Sequence, residues 1–406
     1  MYRSTITRGA LIVAGLTLLV ILSALAAACS SPAQATPTPT RTPRPAVTAA
    51  PPTPPLATVM PSPTQPPTVA PTATPIPPTA TVAATATPTG DAYTRPANVN
   101  PLTGLPVADP KLLARRPLMV VINNDPIART VHYGFAEADL VYEYIMEGGV
   151  TRFTAIFLGN ESERIGPMRS GRLVNFYLTP QYGGALAVSG AQGQINWFLT
   201  FKMGVPYLNV DLDDPSQTRY SFNIWGLAPR KDLEYATRMW TGTDKLRLWL
   251  SDKNAEQDPK LRGFAFAEMA PTGAAGKTAS IAFPAAVTWS YDAASGRYLR
   301  SMGGAAHNDA ASGKQLSAAN VIILTVSHEK TDYVEDSLGT TSIRIVTVGE
   351  GPATILRDGV AIKGTWKAGY TSMPEFFDAT GKLISLKPGN SWFELVAATD
   401  TVTLNQ

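Results

Sequence analysis

Residues 30–90 limit where this chain can fold, because they consist almost entirely of proline, threonine and alanine. The stretch shows no periodic placement of apolar side chains, so it offers no face that a core could cover. Proline also removes a backbone donor and favours extended polyproline II over helix or sheet. We therefore predict a disordered Pro/Thr/Ala-rich linker over residues 30–95 and place the folded elements in residues 96–406.

A targeting segment precedes the linker. Residues 1–29 combine the basic Arg3 and Arg8 with an apolar run over 10–25 and three alanines before Cys29. This pattern is typical of a lipoprotein signal peptide. The apolar run is shorter than the roughly 20 residues that span a bilayer comfortably, which makes an uncleaved anchor the weaker alternative. Cys29 is the only cysteine, so no disulfide can form within the chain. We predict lipidation of Cys29, with acyl chains such as palmitate, and a cell-membrane location facing outward.

The charge balance of the folded part excludes one class of partner. The chain has 34 basic and 31 acidic residues, but four arginines and no acid lie in residues 1–90. The folded part is therefore close to neutral. Because no basic patch dominates it, we predict no binding to nucleic acid.

The folded part consists of two stretches with different sequence patterns. The N-terminal stretch alternates short apolar runs with helical patterns, which indicates α/β layering. From residue 261 onward, short β-rich runs alternate with turn residues, which indicates a sandwich or a partly open barrel. We predict an α/β N-terminal domain over 96–258 and a mainly-β C-terminal domain over 259–406. In the first domain we predict strands at 118–123 and 184–189, helices at 171–181, 192–202, 231–240 and 243–252, and a loop at 206–216.

A hairpin in the first domain carries a conspicuous group of charges. Gly148 and Gly149 suit a two-residue turn, because glycine tolerates positive φ. Such a turn pairs Glu147 with Val150 and places Glu143, Glu147 and Arg152 on one face, with the arginine between the carboxylates. The ordinary interpretation is a solvated hairpin face with weak ion pairs. The alternative is a polar binding site.

Further polar residues complete this predicted site. Arg169 and Arg172 follow in the loop after the hairpin, and Asn123 and Asp125 end a buried strand, where α/β sheets often place ligands. Arginines bind carboxylates and other anions bidentately. Stacking side chains could come from Trp197, Tyr177 and Trp225. The predicted ligand-binding residues are Glu143, Glu147, Arg152, Arg169, Arg172, Asn123 and Asp125. We predict no cofactor and no metal.

An enzyme is the main alternative function. The candidate groups for a cell-wall-acting hydrolase are Glu143, Glu147 and His307, the last with Asp309 on the same strand face and His328 within possible reach. Four residues along a strand separate the two glutamates by about 13 Å. That exceeds the roughly 5–9.5 Å between glycosidase carboxylates. This spacing favours a binding protein, and a purely structural spacer is the third possibility.

Several motifs together resemble one known family. They are RRPLMVVINND (115–125), LVYE (140–143), EGGVTRF (147–153), IGPMRSGR (165–172), GTW (364–366) and PGNSWFELV (388–396). This combination, spread over about residues 98–404, resembles the YerB-like lipoproteins, defined by the N- and C-terminal parts of domain of unknown function 3048. The resemblance implies a two-part fold and a lipid-anchored extracytoplasmic location, and it implies no reaction. We expect a protein that binds peptidoglycan or another envelope protein.

Overall fold

The structure is a computed structural model, and it describes residues 93–223, 232–269 and 271–405. The predicted signal peptide and its lipidation residue Cys29 lie outside the described residues. So do Trp225 and all but the last three residues of the predicted linker. These predictions therefore stay predictions.

The described fold is mostly β-sheet with few helices. The α-helices are α1 (Leu173–Gln181), α2 (Gly193–Phe201), α3 (Val210–Asp213) and α4 (Thr243–Asp252), with 3-10 turns at Pro110–Ala114, Ala128–Val131 and Tyr235–Thr237. In the part of the chain that the structure describes, no helix has the length and apolar character needed to cross a membrane.

The strands span both halves of the described chain. They are β1 (Leu118–Ile122), β2 (Leu140–Met146), β3 (Val150–Phe157), β4 (Ala185–Val188), β5 (Tyr207–Asn209), β6 (Phe222–Asn223), β7 (Met239–Trp240), β8 (Ala274–Ala275), β9 (Thr278–Ile281), β10 (Val287–Asp292), β11 (Arg297–Met302), β12 (Ala305–Ala306), β13 (Ser317–Ala318), β14 (Asn320–Thr325), β15 (Ser327–Val334), β16 (Thr341–Val346), β17 (Gly349–Arg357), β18 (Val360–Gly369), β19 (Ser372–Phe377), β20 (Ser391–Val396) and β21 (Val402–Asn405).

Eleven of the described strands form one large mixed sheet, in the order β19-β18-β17-β14-β20-β2-β3-β1-β4-β5 with β8 beside β18. Strand β20 runs parallel to both neighbours, β14 and β2. Strands from both sides of residue 258 thus share one sheet. The predicted boundary lies in the link between α4 and β8, and the sheet continues across it.

The large sheet is covered on both faces, which explains why its central strands are apolar without alternation. All five residues of β1 are buried, and so are all six of β20. One face packs on a second sheet of order β12-β11-β10-β9-β21, with β13 beside β11, through residues such as Phe153 and Trp289. The other face packs on α1, α2 and the β15–β16 hairpin, through residues such as Leu178 and Leu199.

Some of the predicted helices and strands are present in the structure and others are not. The strands near 118–123 and 184–189 and the helices at 171–181, 192–202 and 243–252 are confirmed within two residues. The predicted helix at 231–240 is wrong, because its described part is a 3-10 turn followed by β7. The predicted loop at 206–216 contains β5 and α3. The C-terminal strands divide between the large sheet, the second sheet and the separate β15–β16 hairpin instead of forming a sandwich of their own.

The predicted hairpin register is wrong by one residue. Met146 lies opposite Val150, so the turn has three residues, and both Gly148 (φ +79°) and Gly149 (φ +72°) use the left-handed region. Arg152 therefore lies opposite Tyr144, and Glu143 lies opposite Phe153. A one-residue shift in register changes which side chains lie on the same face of the sheet. Arg152 faces the helices, Glu143 faces the second sheet, and the predicted Glu–Arg–Glu arrangement does not exist.

Candidate functional site

The candidate site lies at one edge of the large sheet, where three parallel strands end. Strands β1, β4 and β5 run parallel to one another, and α1 and α2 begin close to their carboxyl ends. The residue that caps α1 is Arg172, and the residue that caps α2 is Gln192. Helix N-termini carry partial positive charge and favour anions. This edge is the position at which open α/β sheets commonly bind ligands.

An open cleft of about 570 Å³ occupies this edge. That volume lies within the range of ordinary small-molecule sites. Five of the seven predicted ligand-binding residues line it, namely Asp125, Glu147, Arg152, Arg169 and Arg172. The sequence-based set is therefore brought together in large part, although not through the predicted hairpin face. The other lining residues are Met146, Gly148, Val150, Ser170, Gly190, Ala191, Gln192, Glu335 and Asp336.

Asn123 and Glu143 do not line the cleft. Asn123 is fully buried, and its side-chain oxygen accepts a hydrogen bond from the Asp125 backbone N–H at 3.1 Å. It therefore shapes the loop that presents Asp125. Glu143 is fully buried on the opposite face of the sheet.

Two of the cleft arginines already have carboxylate partners. Arg172 donates from Nε to Glu147 Oε1 at 2.6 Å and lies 3.6 Å from Glu335 Oε2. Arg169 lies 3.6 Å from Asp125 in a partly exposed pair. Burial raises the pKa of Glu335, while the charge of Arg172 opposes that shift. The rim of the cleft is thus a set of mutually compensated charges.

Arg152 differs from these neighbours. Its side chain is 2% exposed, and it donates one hydrogen bond, from Nη1 to the Ser170 backbone oxygen at 3.2 Å. Its Nε has no hydrogen-bond partner, and no described carboxylate forms an ion pair with it. Burial lowers the pKa of the Arg152 guanidinium to about 9, and the charge of Arg172 adds to the shift. The nearby Glu147 carboxylate favours the charged form without forming an ion pair, so the Arg152 side chain is cationic at neutral pH at the wall of the cleft.

Sequence reasoning missed the contribution of the β15–β16 hairpin to this cleft. Glu335 and Asp336 follow β15, more than 160 residues after Arg172, and no local pattern relates the two segments. Ser170 also lines the cleft and supplies the backbone carbonyl that accepts a hydrogen bond from Arg152.

A second polar cluster is enclosed between the two sheets. Glu143 accepts hydrogen bonds from Arg300 and from Thr151 Oγ1, the latter at 2.6 Å. Trp289 Nε1 donates to Glu394 Oε1 at 2.8 Å. Glu143 and Glu394 lie opposite each other on β2 and β20. Burial, followed by the neighbouring Glu143 carboxylate, raises the pKa of Glu394 well above its usual range.

Two histidines extend this cluster. Arg300 donates to His307 Nδ1, which makes His307 Nε2 the donor to His132 Nδ1 at 2.8 Å. His132 Nε2 then donates to the Asn123 backbone oxygen at 2.6 Å. This direction of donation requires both rings to be neutral. Burial lowers the pKa of His132 to about 3 and that of His307 well below its usual value.

This arrangement separates two of the three enzymatic candidates, Glu143 and His307, from the cleft. His307 is 5% exposed and Glu143 is 0% exposed, so both lie in the enclosed cluster. His328 is elsewhere, and its Nδ1 lies 3.0 Å from the Val326 backbone oxygen. Asp309 accepts hydrogen bonds from its own turn, including Ser312 Oγ at 2.8 Å. Among the described residues, no group of three potential ligands is placed to hold a metal ion.

Comparison with known proteins places these features in a family context. Residues 102–236 match the family model described as "Protein of unknown function (DUF3048) N-terminal domain", and residues 279–393 match its C-terminal counterpart. The chain is 28% identical over 321 residues to "Putative lipoprotein YerB" of Bacillus subtilis (strain 168), covering 75% of this chain and 88% of that protein.

A solved structure shares the fold. The crystal structure of the YerB protein from Bacillus subtilis matches with a TM-score of 0.61 at 24% identity, over 75% of this chain and 98% of that chain. The likeness shows that the overall fold occurs in an experimentally determined structure.

Proposed function

This chain belongs to the DUF3048 family, and we propose that it is a lipid-anchored cell-envelope protein. We propose further that it binds an anionic ligand at Arg152. The curated relative bears the name of a lipoprotein. Cys29 at the end of an apolar leader supports the same anchoring here, with the Pro/Thr-rich segment holding the folded part away from the membrane.

The observation that carries the binding proposal is that the buried guanidinium of Arg152 forms no direct ion pair with a described carboxylate. A buried charge without a partner is unfavourable, so folded proteins usually pair it or neutralise it. Arg172 and Arg169 have carboxylates beside them, whereas Arg152 has one backbone carbonyl. A ligand carboxylate in the cleft would supply the missing partner through bidentate hydrogen bonds.

The ligand class follows from this chemistry and from the proposed location. Peptidoglycan carries carboxylates on its stem peptides, and envelope proteins carry them on side chains and at their C-termini. Either partner could present one anionic group to Arg152 and to the N-termini of α1 and α2. We favour peptidoglycan, because the cleft has room for more than a single carboxylate.

A wall hydrolase is not supported by the same geometry. Of its three candidate residues, only Glu147 lines the cleft, and it is paired with Arg172. Glu143 and His307 are enclosed between the sheets. We therefore propose a binding protein.

The test is the substitution Arg152→Met in the mature chain. Methionine fills much of the same volume without a charge, so we expect unchanged or higher thermal stability together with at least about tenfold weaker binding to purified peptidoglycan. Arg152→Lys retains the charge but loses the planar fork and should also weaken binding. Co-sedimentation gives the affinity, and thermal unfolding gives the stability.

Arg357 provides a matched control. It is 1% exposed and lies in the same large sheet, but it pairs with Asp358 at 2.8 Å and also donates to backbone carbonyls. We expect Arg357→Met to lower stability without a specific effect on binding by the folded protein. If Arg152→Met destabilises the protein as much as Arg357→Met and binds the wall like wild type, Arg152 is a structural residue and the proposal is wrong.

A further inference from the structure

Two large aromatic side chains are exposed on helix α2, beside the cleft. Trp197 is 42% exposed and Phe201 is 68% exposed, and their ring centroids are 6.2 Å apart. The opposite face of the helix buries Ile195 and Leu199 completely. Scattered single apolar residues are normal at a surface, but adjacent large aromatic rings commonly mark an interaction site.

This aromatic surface is continuous with the cleft through two elements. Gln192, which caps α2, lines the cleft at the start of the same helix. Phe198 lies next to Trp197 and packs on Tyr333, with 6.2 Å between the centroids of the Phe198 and Tyr333 rings. Tyr333 is two residues before Glu335, which lines the cleft. A ligand that leaves the cleft on this side would pass onto the rings of α2.

Resting on the proposed function, we propose that Trp197 and Phe201 form a sugar-binding subsite and that the ligand is a glycan strand with carboxylate-bearing substituents. Sugar rings present flat faces of C–H groups, which pack well on the electron-rich face of an aromatic ring. Exposed Gln194 and Thr200 on the same helix can exchange hydrogen bonds with hydroxyl groups. A carboxylate on a neighbouring substituent would then reach Arg152.

Charge favours this ligand over the chain's own linker. Proline rings also stack on aromatic surfaces, so residues 30–90 are a competing occupant. That segment contains Arg41 and Arg44 and no acidic residue. It cannot supply a counter-ion to Arg152 or to Lys202, whose Nζ lies 5.1 Å from the Trp197 ring centroid. A carboxylate-bearing glycan is complementary to both cations, whereas the linker is repelled by them.

The test uses the full mature chain and three probes in isothermal titration calorimetry. They are soluble glycan fragments bearing stem peptides, the same fragments with the peptides removed enzymatically, and a synthetic peptide of residues 36–65, which includes Arg41 and Arg44. We expect Trp197→Ala to weaken binding of the peptide-bearing fragments about tenfold and to abolish binding of the peptide-free fragments. Phe201→Ala should weaken both in the same direction.

Leu248 is a matched control for exposure, because it is also 42% exposed but lies on α4. Leu248→Ala should bind all three probes like wild type. Wild-type affinity of Trp197→Ala and Phe201→Ala for both glycans would overturn the inference. So would binding of the 36–65 peptide that is lost in Trp197→Ala, since that would identify the linker as the occupant.

Arg152→Met separates this inference from the proposed function. If Arg152→Met weakens only the peptide-bearing fragments while Trp197→Ala weakens both, the two proposals hold together. If Arg152→Met binds both probes normally while Trp197→Ala does not, the sugar subsite stands and the anion site fails. If only Arg152→Met has an effect, the anion site stands and the sugar subsite fails.

Discussion

We predict opposite outcomes for the same substitution at two neighbouring glutamates. Glu143 and Glu394 face each other on parallel strands, and both are 0% exposed. Arg300, also 0% exposed, donates to Glu143, whereas Glu394 accepts from the neutral Trp289 Nε1. Glu143 thus balances the charge of Arg300. Because burial and Glu143 raise the pKa of Glu394, we expect Glu394 to hold a proton in the folded protein.

The expected change in the free energy of unfolding depends on whether the substitution removes a charge. Glu143→Gln leaves Arg300 buried without a counter-charge, and we expect a loss of about 3–5 kcal/mol in the free energy of unfolding. That is a large part of the roughly 5–15 kcal/mol available to a typical protein. Glu394→Gln retains an acceptor for Trp289 and replaces one neutral group by another. Near pH 4.5 its stability should lie within about 1 kcal/mol of wild type.

The stability difference between Glu394→Gln and wild type should also depend on pH. In the unfolded chain Glu394 loses its proton above about 4.5, its usual pKa, whereas the folded protein retains the proton to higher pH. The folded state therefore binds more protons in this window, and the Glu394 contribution is lost as pH rises, by up to about 1.4 kcal/mol per pH unit. Glutamine does not titrate. Glu394→Gln should become progressively more stable than wild type above pH 4.5.

Urea unfolding of wild type and both variants between pH 4.5 and 8 provides the measurement, with circular dichroism as the readout. Comparing each variant with wild type at the same pH cancels the titration of His132 and His307, which is common to all three proteins. Equal losses for Glu143→Gln and Glu394→Gln at pH 7 would refute the reasoning, because they would mean that both carboxylates are charged in the folded state.

Two further predictions concern the rim and the anchor. Arg172→Ala leaves Glu147 buried without its partner and should lower the free energy of unfolding by about 3 kcal/mol, whereas Arg169→Ala breaks a partly exposed pair and should change it by less than about 1 kcal/mol in thermal unfolding. Cys29→Ala should release the protein from the membrane fraction of fractionated cells, and a variant that stays membrane-bound and uncut would identify the leader as a plain anchor.

The hairpin shows why sequence alone placed the right residues and the wrong contacts. Gly148 and Gly149 fit a two-residue turn and a three-residue turn equally well, and the choice decides which face receives Arg152. Alternation of polar and apolar residues normally fixes register, but both faces of β2 and β3 are buried. Glu143 and Arg152 are polar residues on opposite buried faces, so the pattern carried no signal for the true register.

Long-range pairing accounts for most of the remaining differences. Arg300 follows Glu143 by 157 residues, and Gln181 binds the Thr347 carbonyl 166 residues away. The helix and strand propensities of a local segment do not predict contacts between residues so far apart in sequence. In contrast, α4 was predicted with its observed bounds, because its amphipathic pattern and its acidic first turn lie within ten residues. Three of the four helices predicted in the first domain are confirmed, whereas the partners of the buried charges were not predictable.

Three buried arginines of the described structure separate structural roles from a ligand-binding role. Arg300 pairs with Glu143, Arg357 pairs with Asp358, and Arg152 forms no direct ion pair with a described carboxylate, although all three are at most 2% exposed. Burying a guanidinium disfavours folding in each case, and the first two recover stability from their partners. Arg152 receives only a longer-range contribution from Glu147, and it alone of the three lines the open cleft. The imbalance at this position is explained if its counter-charge arrives with a ligand, and this is why stability and binding should respond in opposite directions to Arg152→Met.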